Sequence, residues 1–276
     1  MYLDVVDLRA FYADRLGGIA RKLIGVKLKR RWPKLAGERV LGIGYATPYL
    51  ADLTEGAERV LAFMPAVQGV VNWPAEGHNA AALVEDDALP LSDAVVDRVL
   101  AIHSLEMAAN ARDQLREIWR VLAPGGRVIL VVPNRRGIWA RGERTPFGYG
   151  RPFSRGQLTA LLRDALFSPL HWSEALAVPP IPYRPFLQTG VNWERVGSIL
   201  WPAFAGVIIV EATKQLYQGI PARARSRLRP AFRPALVPPP ASARSTPCPT
   251  RCASRWARCV RCYNRRRSRW RRCLNR

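Results

Sequence analysis

The chain has 276 residues and a formal charge of +22, with 49% hydrophobic and 23% charged residues, which suits one domain of about 200 residues with an appendage, or two small domains, and is enough to bury a sizeable core. The start, MYLDVVDLRAFYADRL, carries acids early and no apolar core segment, and no run approaches the ~18 apolar residues of a membrane span, so neither a secretory leader nor a transmembrane helix is expected and the default is a cytoplasmic protein with no membrane partner. The charge is uneven: residues 221–276 hold 17 Arg and no acid, whereas residues 1–220 hold the other 26 basic residues against all 21 acidic ones.

Residues 7–32 place Leu8, Phe11, Tyr12, Leu16, Ile19, Leu23 and Ile24 at helical spacing. They predict a helical cover over 7–33 with Gly17-Gly18 as its weak point and Pro33 as its end. ERVLGI (38–43) predicts the first strand, ERVLAF (58–63) the second, and 81–85 a short third. VDRVLAI (96–102) is a fourth apolar run with β-branched residues. A helix over 110–122 follows, with Leu115, Ile118, Trp119 and Leu122 on one face, then the Pro124-Gly125-Gly126 stop and the strand RVILVV. Strand, crossover helix and strand within about forty residues form the βαβ unit of a parallel sheet. Ser154 is the expected N-cap of a helix through Leu166 with Leu158, Leu161 and Leu162 inward. Residues 168–186 read as a Pro-rich, aromatic connection, 192–200 as a helix, and the stretch from Gly206 as the last strand. Alternating strands and helices predict a three-layer α/β/α sandwich.

The wording of the central unit, His103-Ser104-Leu105-Glu106 followed by LREIWRVLAPGGRVILVVPN, resembles the class I S-adenosylmethionine-dependent methyltransferases, nearest the small-molecule group called methyltransferase type 11. The resemblance implies a Rossmann-like, mostly parallel sheet with a last antiparallel strand, S-adenosylmethionine as cofactor, a small-molecule methyl acceptor, and a domain over 1–220 with its core at 35–215. It covers 35–135 well and 136–215 loosely.

It also assigns residues. The family's first strand-to-helix turn, apolar-Asp-x-Gly-x-Gly-x-Gly, corresponds to Val40-Leu41-Gly42-Ile43-Gly44-Tyr45-Ala46-Thr47-Pro48: Gly44 keeps the first glycine, Ala46 replaces the second, Pro48 the third, and Gly42 stands where the acid would be. Met64 falls at the acid that holds the ribose. Glu85 and Asp86, with the backbone of Ala88 and Leu89, match the segment that reads adenine. His103 and Ser104 lie against the cofactor at the end of strand four, and His103 is the candidate general base. The expected lid, 134–153, is rich in Arg and aromatic residues. Arg144, Tyr149 and Arg151 are its candidates for holding an anionic or aromatic acceptor, with Trp139 and Phe147 as walls. The missing acid and glycine raise the alternative of a catalytically inactive binding protein on the same fold. A dinucleotide oxidoreductase is disfavoured, because GIGYAT lacks a third glycine and no acid follows about twenty residues on.

All five cysteines (Cys248, Cys252, Cys259, Cys262, Cys273) lie in the tail, of which only Cys259 and Cys262 have zinc-site spacing and no histidine is near, so no metal is expected. Residues 221–276, without acid, glycine or lysine, read as a disordered basic arm or an out-of-frame stretch. Any nucleic-acid contact would run through this tail.

Overall fold

The computed structural model describes residues 3–177, 179–180 and 205–216. The expected helix at 192–200, the expected domain end near 220 and the tail lie outside the described residues.

Two helices open the chain, α1 (Val5–Ala13) and α2 (Arg15–Arg31). Asp4 caps α1 by accepting from the Val6 N–H at 2.9 Å. The break falls at Asp14, in extended backbone, rather than at Gly17-Gly18, because Asp14 serves as cap to both helices. Then come β1 (Arg39–Gly44), α3 (Thr47–Leu53), β2 (Arg59–Pro65), β3 (Ala81–Val84), β4 (Val96–Ile102), α4 (Ala111–Val121), β5 (Leu122–Pro133), α5 (Arg155–Asp164), β6 (Phe167–Ala175) and β7 (Val207–Lys214). Asn110 caps α4, and Ser154 with Gln157 makes a full capping box on α5.

The seven strands form one sheet in the order β3-β2-β1-β4-β5-β7-β6, with β7 antiparallel to both neighbours and the other pairs parallel. The expected architecture is therefore present. β6 corrects the expectation of an irregular connection at 168–186. It is an edge strand whose Pro169, His171, Ser173 and Glu174 interrupt any apolar alternation, and a register shift accommodates Pro169. No described helix is long and apolar enough to cross a membrane.

Side-chain alternation along the strands builds two cores. Leu41, Ile43, Val99, Ala101, Val128 and Leu130 face α4 and α5. Val40, Leu100, Ile102, Ile129 and Val131 face α2 and α3. A third, smaller cluster holds Leu3, Val5, Leu8, Tyr45, Met64 and Met107. It lies at the carboxyl ends of β1, β2 and β4, where neighbouring connections leave the sheet in opposite directions and where open α/β sheets bind ligands.

Candidate functional site

The crevice at the strand ends is built around Gly44 and His103. Gly44 ends β1 with φ +75°, and a Cβ there would lie 2.3 Å from the Ile102 carbonyl oxygen and 2.8 Å from the Ser104 Cβ. The glycine thus lets β1 and β4 close on each other, and the Tyr45 N–H donates to that same Ile102 oxygen at 2.8 Å. Gly42 faces the other way. A Cβ on it would stand 2.7 Å from Leu50 Cδ1 and 3.0 Å from the Ala46 Cβ, so an acid here would point into the packing of α3 against the sheet. Ala46 is fully buried in that same packing.

His103 follows β4 in left-handed backbone, φ +51°, a conformation that costs a non-glycine residue about 1–2 kcal/mol and that clusters at functional sites. Its imidazole is completely buried. Nε2 lies 2.8 Å from the Tyr12 hydroxyl of α1, and the Tyr49 hydroxyl donates to the Tyr12 oxygen at 3.1 Å. Nδ1 lies 3.3 Å from Glu106 Oε1. Neither that nitrogen nor either Glu106 oxygen completes a hydrogen bond, although the Glu106 side chain is 1% exposed. Gln68 donates its side-chain amide to the His103 carbonyl, and the Phe147 ring packs 4.7 Å from the imidazole. Burial holds the Tyr12 and Tyr49 phenols above their ordinary range, so both stay protonated.

On the other side of β4, Ser104 is buried. Its hydroxyl accepts from Gln114 Nε2 at 2.7 Å, and the same nitrogen donates to Asp86 Oδ1 at 2.9 Å. Asp86 is half-buried, and Glu85 and Ala88 are exposed beside it. The Leu89 N–H is not free to read a base, since it donates to Glu117 at 3.1 Å. Met64 is 1% exposed, packed in the third cluster with its sulfur accepting from the Val71 N–H at 3.4 Å.

The lid residues separate. Tyr149 and Arg151 line a cavity of about 340 Å³ together with Glu106, Met107 and Glu143, whereas Arg144 is exposed and does not line it. Trp139 and Phe147 are buried against the sheet and do not line that cavity. With two carboxylates to one guanidinium, the cavity does not favour an anionic ligand. Among the described residues no group of His, Cys, Asp and Glu could hold a metal.

Tyr12, Gln68 and Gln114 were not singled out by their sequence. Gln114 was legible, being the one polar side chain among the buried residues of α4. Tyr12 was not, since a tyrosine at helical spacing reads as core.

Burial pushes the Asp86 carboxyl up to about 6 from 3.8, with the Gln114 hydrogen bond opposing and Asp87 and Glu85 adding. A folded state that holds this proton more tightly than the unfolded chain loses stability as pH rises through that window, and above it the penalty is complete. Asp86→Asn keeps the acceptor for Gln114 and removes the charge. It is expected to stabilise the fold by about 1 kcal/mol at about pH 7.5, a figure reduced for partial exposure, and by nothing below about pH 4. Denaturant melts at the two pH values check this; equal gains at both would show that the charge is not the cause.

Residues 40–130 match the family model described as a methyltransferase domain. No curated protein sequence matches the chain. Among solved structures, a possible histamine N-methyltransferase from Thermotoga maritima is 17% identical, with 76% of this chain and 96% of that one covered and a TM-score of 0.51. An S-adenosylmethionine-dependent methyltransferase from Mesorhizobium loti is 16% identical, with 68% and 96% covered and a TM-score of 0.50. The [4+2]-cyclase SpnF is 23% identical, with 70% and 80% covered and a TM-score of 0.50. At these identities the likeness is one of fold, and the cyclase illustrates that the fold does not fix the reaction.

Proposed function

We propose that this chain, which carries a class I methyltransferase domain, is an S-adenosylmethionine-dependent methyltransferase acting on a small molecule. The observation that carries the proposal is the family match over 40–130, which runs from β1 into β5 and includes Gly44, Met64, Asp86, His103 and Ser104 at the strand ends. When bound, the cofactor supplies a methyl group on an electrophilic sulfonium, and the protein's task is then to position the acceptor and take a proton.

The residues fit that cofactor at one end and not at the other. At the adenine end, the half-buried Asp86 carboxyl is backed by Gln114 and Ser104, while the exposed Ala88 turns its N–H to the Glu85 carbonyl at 3.4 Å. At the ribose end, Met64 offers no pair of acceptors for the sugar hydroxyls. At the methionine end, Tyr45, Met107, Leu3, Val5 and Leu8 fill the crevice with the chain's own side chains. The cofactor therefore fits only with α1 withdrawn, and the arrangement described is a closed one. His103 is the group placed to accept a proton once that crevice opens, with Glu106 behind its ring.

Calorimetric titration of the whole chain with S-adenosylmethionine tests this beside Asp86→Ala. Binding is expected in the parent chain and at least about tenfold weaker in the variant. Absence of binding at about 1 mM cofactor, with the protein folded, would leave a methyltransferase fold whose crevice is permanently filled.

A further inference from the structure

Tyr12 places a phenol against the buried His103 imidazole at the end of β4. Tyr49 donates to its oxygen, and in the tautomer that turns Nδ1–H toward Glu106 the proton of Tyr12 is directed at His103 Nε2, 2.8 Å away. The Tyr12 ring stacks on Tyr45 at 5.6 Å between centroids and 24° between planes, and it meets Tyr49 edge-on at 6.0 Å. Phenylalanine would satisfy the packing alone. The hydroxyl is what engages an imidazole held by Gln68 through its backbone and faced by a carboxylate.

Two further observations set this arrangement apart from ordinary core. Buried Glu106 and His103 Nδ1 lack hydrogen bonds, and unsatisfied buried groups in a native fold call for a role. A cavity of about 630 Å³ between α2 and α3 also reaches Tyr12 and Tyr49, with open space above Gly18 and Gly25.

We propose that Tyr12 is a stand-in for the methyl acceptor and that the acceptor is a phenol. Its ring lies on Tyr45 in place of the Tyr12 ring, and its hydroxyl donates to His103 Nε2, which takes the proton. This rests on the methyltransferase reading and names the substrate class of that same site. Tyr12 and the acceptor then exclude one another, which ties acceptor binding to the withdrawal of α1.

The test follows ¹⁵N resonances of the imidazoles while p-cresol, and separately toluene, is added to the whole chain without cofactor. In the parent protein p-cresol is expected to shift His103 and toluene to bind at least about tenfold more weakly. Tyr12→Phe keeps the packing and removes the competing hydroxyl, so it should bind p-cresol about tenfold more tightly. His103→Phe should lose the preference for p-cresol over toluene. Equal binding of the two ligands, unmoved His103 resonances in both the parent and Tyr12→Phe, or a response confined to a cavity-forming Tyr12→Ala variant would each overturn the proposal, the last by showing Tyr12 to be core packing. Because cofactor is absent throughout, failure here leaves the methyltransferase reading standing, and failure of cofactor binding leaves the phenol site standing.

Discussion

Gly44→Ala is expected to destabilise the domain by about 3–5 kcal/mol, a loss at the upper end for a single methyl group. Left-handed backbone accounts for about 1–2 kcal/mol of it, since φ is +75°. The remainder comes from the new Cβ, which would stand 2.3 Å from the Ile102 carbonyl oxygen and 3.0 Å from the His103 carbonyl carbon. These atoms cannot retreat cheaply. Gly44 and Ile102 are register partners in the parallel pair of β1 and β4, and the Ile102 oxygen is already bonded to the Tyr45 N–H. Gly18→Ala and Gly25→Ala supply the contrast. Both sit in α2 with nothing within 4 Å of a Cβ, and alanine there should stabilise by roughly 0.5–1 kcal/mol. Denaturant midpoints of the three variants decide the matter, and a Gly44→Ala protein as stable as its parent would show that the β1–β4 approach is looser than described. The consequence for function is direct. Strand packing alone demands this glycine, so its presence does not by itself report a cofactor, and a bulky substitution at Gly44 would test folding before it tested binding.

That distinction also explains what the sequence did and did not disclose. The parallel sheet was legible because the inner parts of β4 and β5, Val99–Ile102 and Val128–Val132, are buried on both faces and read as apolar runs, with a one-sided amphipathic α4 between them. β6 was not, because an edge strand with one covered face can carry Pro169, His171 and Glu174 without penalty. At the site, local wording located His103, Ser104 and Asp86 at the strand ends, since chain order in a βαβ fold fixes which loops meet. The partners of these residues come from far along the chain. Tyr12 lies 91 residues before His103, and Gln114 lies 28 after Asp86. Nothing in the pattern of α1 separates a tyrosine that bonds an imidazole from one that only packs. The closure of the crevice was equally hidden, because Leu8 and Val5 read as an ordinary apolar helix face until the sheet shows what lies beneath them. In the Arg-rich lid, Tyr149 and Arg151 reach a cavity and Arg144 does not. Charge in a loop is visible in sequence, but whether Arg144 faces a cavity or solvent is decided by the path of the backbone.

Leu8→Ala should tighten cofactor binding by about tenfold or more, a gain that comes from loosening the protein. Leu8 is fully buried and packs with Tyr45, Met64 and Met107, so α1 is held across the crevice largely by this side chain and its neighbours Leu3 and Val5. Truncating a buried leucine removes about 2–5 kcal/mol from the state that buries it. If the cofactor and α1 occupy the same space, the apparent affinity equals the intrinsic one scaled by the open fraction, and each 1.4 kcal/mol taken from the closed state raises it about tenfold until the open state dominates. Leu158→Ala is the control. It makes a comparable cavity under α5, in the layer that faces away from α1, and should lower stability without changing affinity. Calorimetry gives the affinities, and amide exchange over Val5–Ala13 reports whether α1 has loosened. Faster exchange in Leu8→Ala with unaltered affinity would sink the competition between helix and cofactor, and the closed crevice would then be the ligand-free core of the fold rather than its shut door. Tighter binding with faster exchange would make α1 the element that couples cofactor entry to the exposure of His103, because Tyr12 rides on the same helix as Leu8.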